Sequence, residues 1–233
     1  MSRPTKWAIM IILALLTFVS FSFLFGATLG VSLGGLVLLH EIGHYIAMKK
    51  RGVRPSGIFM IPFLGAAVIG SLENTSLLSE YLIAIAGPLI GLGSSMLLVA
   101  IGVMFNSVLL LALAGINAYI TLFNLIPLSP FDGGRAVTAI ILGRDSKTVS
   151  YLKAIFVATS LVGVLLFNQI ILPFIALMCI ASINKDHEAI LLGKRLPINS
   201  RRQKIICSLA YLVAVAASFA IYFLFYMSPW LLR

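Results

Sequence analysis

Residues 29–48 read LGVSLGGLVLLHEIGHYIAM, an apolar stretch interrupted near its end by His40, Glu41 and His44. At 1.5 Å per residue such a run covers about 30 Å as a helix, the thickness of a bilayer's hydrocarbon core. On that helix His40 and His44 point to one face, one turn apart, a spacing that lets both imidazoles bind one zinc ion. Glu41 follows the first histidine and can take a proton from a metal-bound water. With three histidines in 233 residues, random placement yields H-E-x-x-H about once in a thousand such chains. Ionisable groups are costly at membrane depth and are retained there for function. The competing reading is a pair of interfacial histidines at a helix end.

The rest of the chain agrees with a membrane setting. Apolar residues make up 61% and charged residues 10% of the sequence, and the mean hydropathy is +1.09. A soluble domain carries about 25% charged residues. The expected fold class is therefore an all-α polytopic membrane protein with about six to seven transmembrane helices. Spans are expected at residues 7–25, 29–48, 81–105, 108–128, 149–167, 170–183 and 205–226. Gly30 and Gly34 form a G-x-x-x-G pair that lets a neighbouring helix approach closely. The net charge of +10 sits in short segments between apolar runs. With a cytosolic N-terminus and seven crossings, every Lys and Arg except Arg233 falls on the cytosolic side. No nucleic-acid-binding module is recognisable, so nucleic acid is not an expected partner. Cys179 and Cys207 have no C-x-x-C spacing, which argues against a disulfide framework or a thiolate metal site.

Between the second and third spans, residues 54–70 are apolar but broken by Pro55, Gly57, Pro62, Gly65 and Gly70. Two short strands around Ile58–Ile61 and Ala66–Ile69 fit this punctuation, as a hairpin dipping into the membrane. Residues 72–79 are expected to be a short polar connector, with Glu73 and Glu80 near the membrane surface.

A zinc ion on two histidines needs a third protein ligand and keeps one position open. Among the seven acids, Asp145, Asp186 and Glu188 lie among basic residues and read as solvated. The Asp186-His187-Glu188 run reads as a surface loop. Asp132 follows Asn124-Leu125-Ile126-Pro127-Leu128-Ser129-Pro130-Phe131 and precedes Gly133-Gly134. The prolines break the helix and the glycines permit tight or left-handed turns, so an unwound helix end bearing a carboxylate is expected. An ordinary cytosolic Asp at a helix terminus is the alternative. His40 precedes Lys49 by nine residues, or about 13 Å of helix, so both halves of the site fall in the cytosolic half of the membrane.

These two motifs together resemble the intramembrane site-2 zinc metalloproteases, whose pattern is H-E-x-x-H on one span and N-x-x-P-x-x-P-x-D-G on a later one. Ala86-Gly87-Pro88-Leu89 looks like the family's A-G-P segment, and Gly65 with its neighbours resembles its membrane-dipping hairpin. The resemblance covers roughly residues 5–185. It implies one zinc ion per chain on His40, His44 and Asp132, with Glu41 as general base and Asn124 helping to position the substrate strand or to shape the site. It also implies an endopeptidase that cuts in or near a transmembrane segment of a membrane-protein substrate, in regulated intramembrane proteolysis, in a prokaryotic cell membrane. The implied partners are that substrate and the lipid bilayer.

The chain departs from the family in places. Ile90-Gly91 stands where a polar Asn often follows the A-G-P-L segment, and Ser129 stands at a position that is commonly Pro. No PDZ or CBS module fits, which suggests a minimal form. The expected organisation is a metalloprotease core at 1–185, a basic cytosolic linker at 186–204 and an additional span at 205–233. Two rivals carry different chemistry. A protease of prenylated proteins would need a helical downstream Glu as third ligand. A zinc transporter or channel using the histidine span would need polar groups along further spans.

Overall fold

The computed structural model describes residues 3–63, 65–72, 75–128, 131–142 and 190–227, with scattered positions between 147 and 188. The described helices are α1 (Arg3–Phe25), α2 (Ala27–Lys50), α3 (Leu77–Met104), α4 (Val108–Asn124), α5 (Asp132–Ile141) and α6 (Arg201–Met227). Strands β1 (Pro55–Ile61) and β2 (Gly65–Gly70) form an antiparallel hairpin between α2 and α3. Among the described helices α1, α2, α3 and α6 are long and apolar enough to cross a membrane, and α4 is a shorter apolar helix. The expected spans at 149–167 and 170–183 fall mostly outside the described residues. The chain forms two compact units: Met1–Ser71 with Ala86–Leu122 and Ala214–Arg233, and Leu72–Ile85 with Phe123–Val213.

In the first unit a single residue, Gly26, joins α1 to α2. Its φ of 81° is a conformation that glycine adopts without steric cost. The G-x-x-x-G pair does what its spacing predicts. A Cβ on Gly30 would collide with the Phe21–Ser22 backbone of α1, and one on Gly34 would come within 2.6 Å of the Phe18 ring. The hairpin pairs Ile58 with Val68 and Phe59 with Ala67, close to the expected strands. Its tip is held by α1, because the Phe63 N–H donates to Ser20 Oγ at 3.1 Å. Further along, Gly43 of α2 meets the Ala86 carbonyl of α3, where a Cβ would sit 2.6 Å from the oxygen. The last turns of α6 pack on α4, with Tyr119 and Tyr222 rings 5.4 Å apart and the Phe225 ring against Gly115.

In the second unit α3 begins at Leu77, four residues before the expected start at Tyr81. Glu80 is therefore inside the helix and buried, at 7% exposure, rather than flanking the helix start. Its charge is paired, which removes the reason to leave the helix core. The fourth span is also shorter than expected and ends at Asn124. Pro127 explains this, since a proline excludes the helical conformation at the residue before it and supplies no N–H. The chain then turns through bonds from Leu128 N to Ile126 O (2.7 Å) and Phe131 N to Leu128 O (3.0 Å) before α5 starts at Asp132. Tyr81 and Tyr211 donate their hydroxyls to the carbonyls of Cys207 and Leu125. They satisfy backbone oxygens that apolar surroundings would leave costly.

Candidate metal centre

His40, Glu41 and His44 sit on the middle-to-late part of α2 in the first unit, all buried, at 5%, 8% and 5% exposure. The two imidazoles meet at their Nε2 atoms, 3.2 Å apart, with ring centroids separated by 5.0 Å. Two nitrogens each about 2.05 Å from a tetrahedral zinc ion stand about 3.3 Å apart, so the observed separation suits one shared ion.

The opposing wall is built from glycine. Gly43 lets α2 approach the α3 backbone at Ala86, and this sets the next residue, Gly87, against the histidine nitrogens. A Cβ at Gly87 would lie 2.7 Å from His40 Nε2 and would overlap His44 Nε2. The volume in front of the two nitrogens is thus clear because residue 87 has no side chain. Donor chemistry, spacing and clear volume all fit a zinc ion.

Behind the histidines lies a polar group that the sequence reading missed. The Asn117 amide donates to Gly91 O at 2.8 Å and contacts Ser94 Oγ at 2.9 Å and Ser95 Oγ at 2.8 Å. Thr121 Oγ1 donates to Asn117 O at 2.9 Å. A Cβ on Gly91 would collide with Thr121 Oγ1 and stand 3.5 Å from His40 Nδ1, so this cluster backs the far side of His40. The signal was present in the sequence as Asn117 and Thr121 within an otherwise apolar span. Gly91, in the Ile90-Gly91 pair that follows Ala86-Gly87-Pro88-Leu89, is therefore not an empty position. Its carbonyl receives an Asn from the neighbouring helix.

The other two candidate residues belong to the second unit. Asn124 is the half-buried last residue of α4. Asp132 is the first residue of α5 and is 9% exposed. The unwound segment expected around Asp132 ends just before it, and Gly133 and Gly134 are helical. Close packing is what requires glycine at 133, because a Cβ there would strike the Leu125 carbonyl. The Asp132 Oδ1 atom is 3.8 Å from Arg135 Nη1, one turn along the same helix.

The family model for peptidase family M50 matches residues 28–111, a range that contains His40, Glu41 and His44. A zinc metalloprotease of Methanocaldococcus jannaschii is 33% identical over 170 residues, covering 69% of this chain and 48% of that protein. Rip3 of Mycobacterium tuberculosis, named as a putative zinc metalloprotease, is 31% identical over 134 residues, covering 54% of this chain and 34% of its own length. Among solved structures, a site-2 protease from Methanocaldococcus jannaschii is 30% identical with a TM-score of 0.49, covering 77% of this chain and 88% of that chain. The chain belongs to peptidase family M50, the site-2 protease family. With its long apolar helices it is a multi-pass membrane protein. It spans about half the length, or less, of the curated relatives it matches.

Proposed function

We propose that the chain is a zinc-dependent intramembrane endopeptidase that cleaves a peptide bond in or near a transmembrane segment of a membrane protein. The observation that carries this reading is the pair of buried imidazole nitrogens, 3.2 Å apart, facing a space that Gly87 leaves clear. The histidines and Glu41 all fall within the family-matched residues. His40, His44 and Asp132 would hold the ion, and Asn124 would help position the substrate strand. Bound zinc supplies Lewis acidity toward the scissile carbonyl and acidifies a water molecule.

Glu41 performs the proton transfer. Its carboxylate takes a proton from the attacking water as oxygen bonds to the carbonyl carbon. It then delivers that proton to the departing amine nitrogen as the C–N bond breaks. The products are one carboxylic acid and one amine, and Glu41 ends as it began. Burial keeps competing water away from the carboxylate and strengthens its interactions. A substrate helix hides its carbonyls in hydrogen bonds and must unwind first. The hairpin offers a strand edge on which the unwound segment can pair.

The positive-inside pattern supports a cytosolic N-terminus, with the histidines reached from the cytosolic half of the membrane. Release of a membrane-tethered factor is the physiological role this chemistry suits, and the archaeal and bacterial relatives favour a prokaryotic source. The test is Glu41→Gln in cells with the membrane proteome compared against wild type. Membrane-anchored proteins should accumulate uncut in the variant, and identical proteomes would reject the protease reading.

A further inference from the structure

Arg195 falls in a segment that reads, from sequence, as a basic linker, yet it is only 4% exposed. Its Nη2 pairs with Glu80 Oε2, and its Nε donates to the Thr75 carbonyl at 3.1 Å. Beside it, Leu77 N donates to Leu196 O at 2.9 Å, so residues 195 and 196 are tied to the start of α3 by backbone and side chain together. The other oxygen of Glu80, Oε1, lies 3.6 Å from Arg135 Nε. Arg135 Nη1 in turn lies 3.8 Å from Asp132 Oδ1.

The order Arg195, Glu80, Arg135, Asp132 alternates in sign and sums to zero charge. Such a set is not explained by stability, because apolar residues of similar volume often hold a fold as well as buried ion pairs do. What the set supplies is direction. A guanidinium is planar and spreads its charge over a rigid fork, so Arg135 can stay in ion-pair range of Glu80 through Nε and of Asp132 through Nη1 at once. Glu80 is itself fixed by Arg195. At the other end, the close approach of Gly133 to Leu125 O fixes where α5, and so Asp132, begins.

We propose that Arg195, Glu80 and Arg135 are positioning residues that hold the Asp132 carboxylate in its metal-ligating orientation. Residues 195 and 196 then belong to the support of the metal centre. Carboxylate ligands are commonly oriented by partners of this kind, whose loss weakens metal binding about 10–100-fold. The proposal rests on the reading of Asp132 as the third zinc ligand, and the experiment separates the two.

The measurement is zinc affinity of the purified full-length protein in detergent, by competition with a chelator. Arg135→Gln and Glu80→Gln should each weaken zinc about 10–100-fold. Arg135→Lys, which keeps the charge but not the fork, should recover part of the loss. In an Asp132→Ala background Arg135→Gln should add nothing, because the group it orients is gone. Should Glu80→Gln fail to fold, Arg135→Gln carries the test, since that side chain is 26% exposed. Unchanged affinity in Arg135→Gln alongside weakened affinity in Asp132→Ala overturns the positioning role and leaves the ligand in place. Additive losses in the double variant also overturn it, by making Arg135 a general structural residue. Unchanged affinity in Asp132→Ala overturns the ligand assignment itself.

Discussion

Gly87 on α3 lies so close to the Nε2 atom of His44 on α2 that a single added methyl group would overlap it. Gly87→Ala should therefore displace the imidazoles while leaving most of the fold intact. Overpacking of about 1–3 kcal/mol corresponds to a loss in zinc affinity of about 5–150-fold. Chelator competition checks this, and zinc binding equal to wild type would contradict the assignment of that volume to the ion.

Glu41→Gln keeps the size of the side chain and removes its ability to accept a proton. Zinc content should stay at the wild-type level, while peptide turnover falls by about 10²–10⁴-fold. Metal analysis and single-turnover cleavage in detergent measure the two separately. Substantial cleavage by the variant removes Glu41 from the role of base.

The α1–α2 contact should be sensitive to volume. Gly34→Val drives a branched side chain into Phe18, whose ring stands only 2.6 Å from where a Cβ at position 34 would lie, at a cost of about 1–3 kcal/mol. Adding Phe18→Ala should return part of that stability. Denaturation in mixed micelles reads both effects, and no recovery in the double variant would place the strain elsewhere.

The buried Glu80–Arg195 pair should respond as one unit. Arg195→Ala leaves the Glu80 carboxylate buried without its main partner and should cost about 3–5 kcal/mol. Pairing Glu80→Gln with Arg195→Gln should cost less than the two single changes summed. Additive losses would show the pair to be uncoupled.

Direction of access separates hydrolysis from transport. A cysteine at position 124, in a background lacking Cys179 and Cys207, should react with an impermeant thiol reagent from the cytosolic face. A transporter opens to both faces in turn. Labelling from the outer face, together with zinc flux in sealed vesicles, would favour transport.

Local signals were read correctly where the cause is local. Pro55, Gly57, Gly65 and Gly70 announced the hairpin, and its Ile58–Val68 register follows. H-E-x-x-H announced the convergent imidazoles, since helical spacing alone places them on one face. Element ends were less legible. Glu80 looked like the edge of a polar connector because its partner lies 115 residues away. Arg195 looked solvated for the same reason, being one cation in a basic segment. The Asn117 cluster was similarly hidden, because its acceptors Gly91, Ser94 and Ser95 sit on another helix. Gly133 was read as a turn residue when its role is close contact with Leu125. Sequence neighbours cannot distinguish a glycine chosen for its φ from one chosen for its size.

Gly26 has a consequence for biogenesis. With one residue between α1 and α2, no polar loop must be carried across the lipid when this pair enters the membrane. The unpaired peptide groups to be moved are few, and these are the main cost of exposing irregular backbone to hydrocarbon. The two helices can therefore enter the bilayer together as a pre-zipped hairpin, Gly30 and Gly34 already seated on α1. The charged flanks at Lys6 and at Lys49–Lys50–Arg51 then stay together on one face of the membrane.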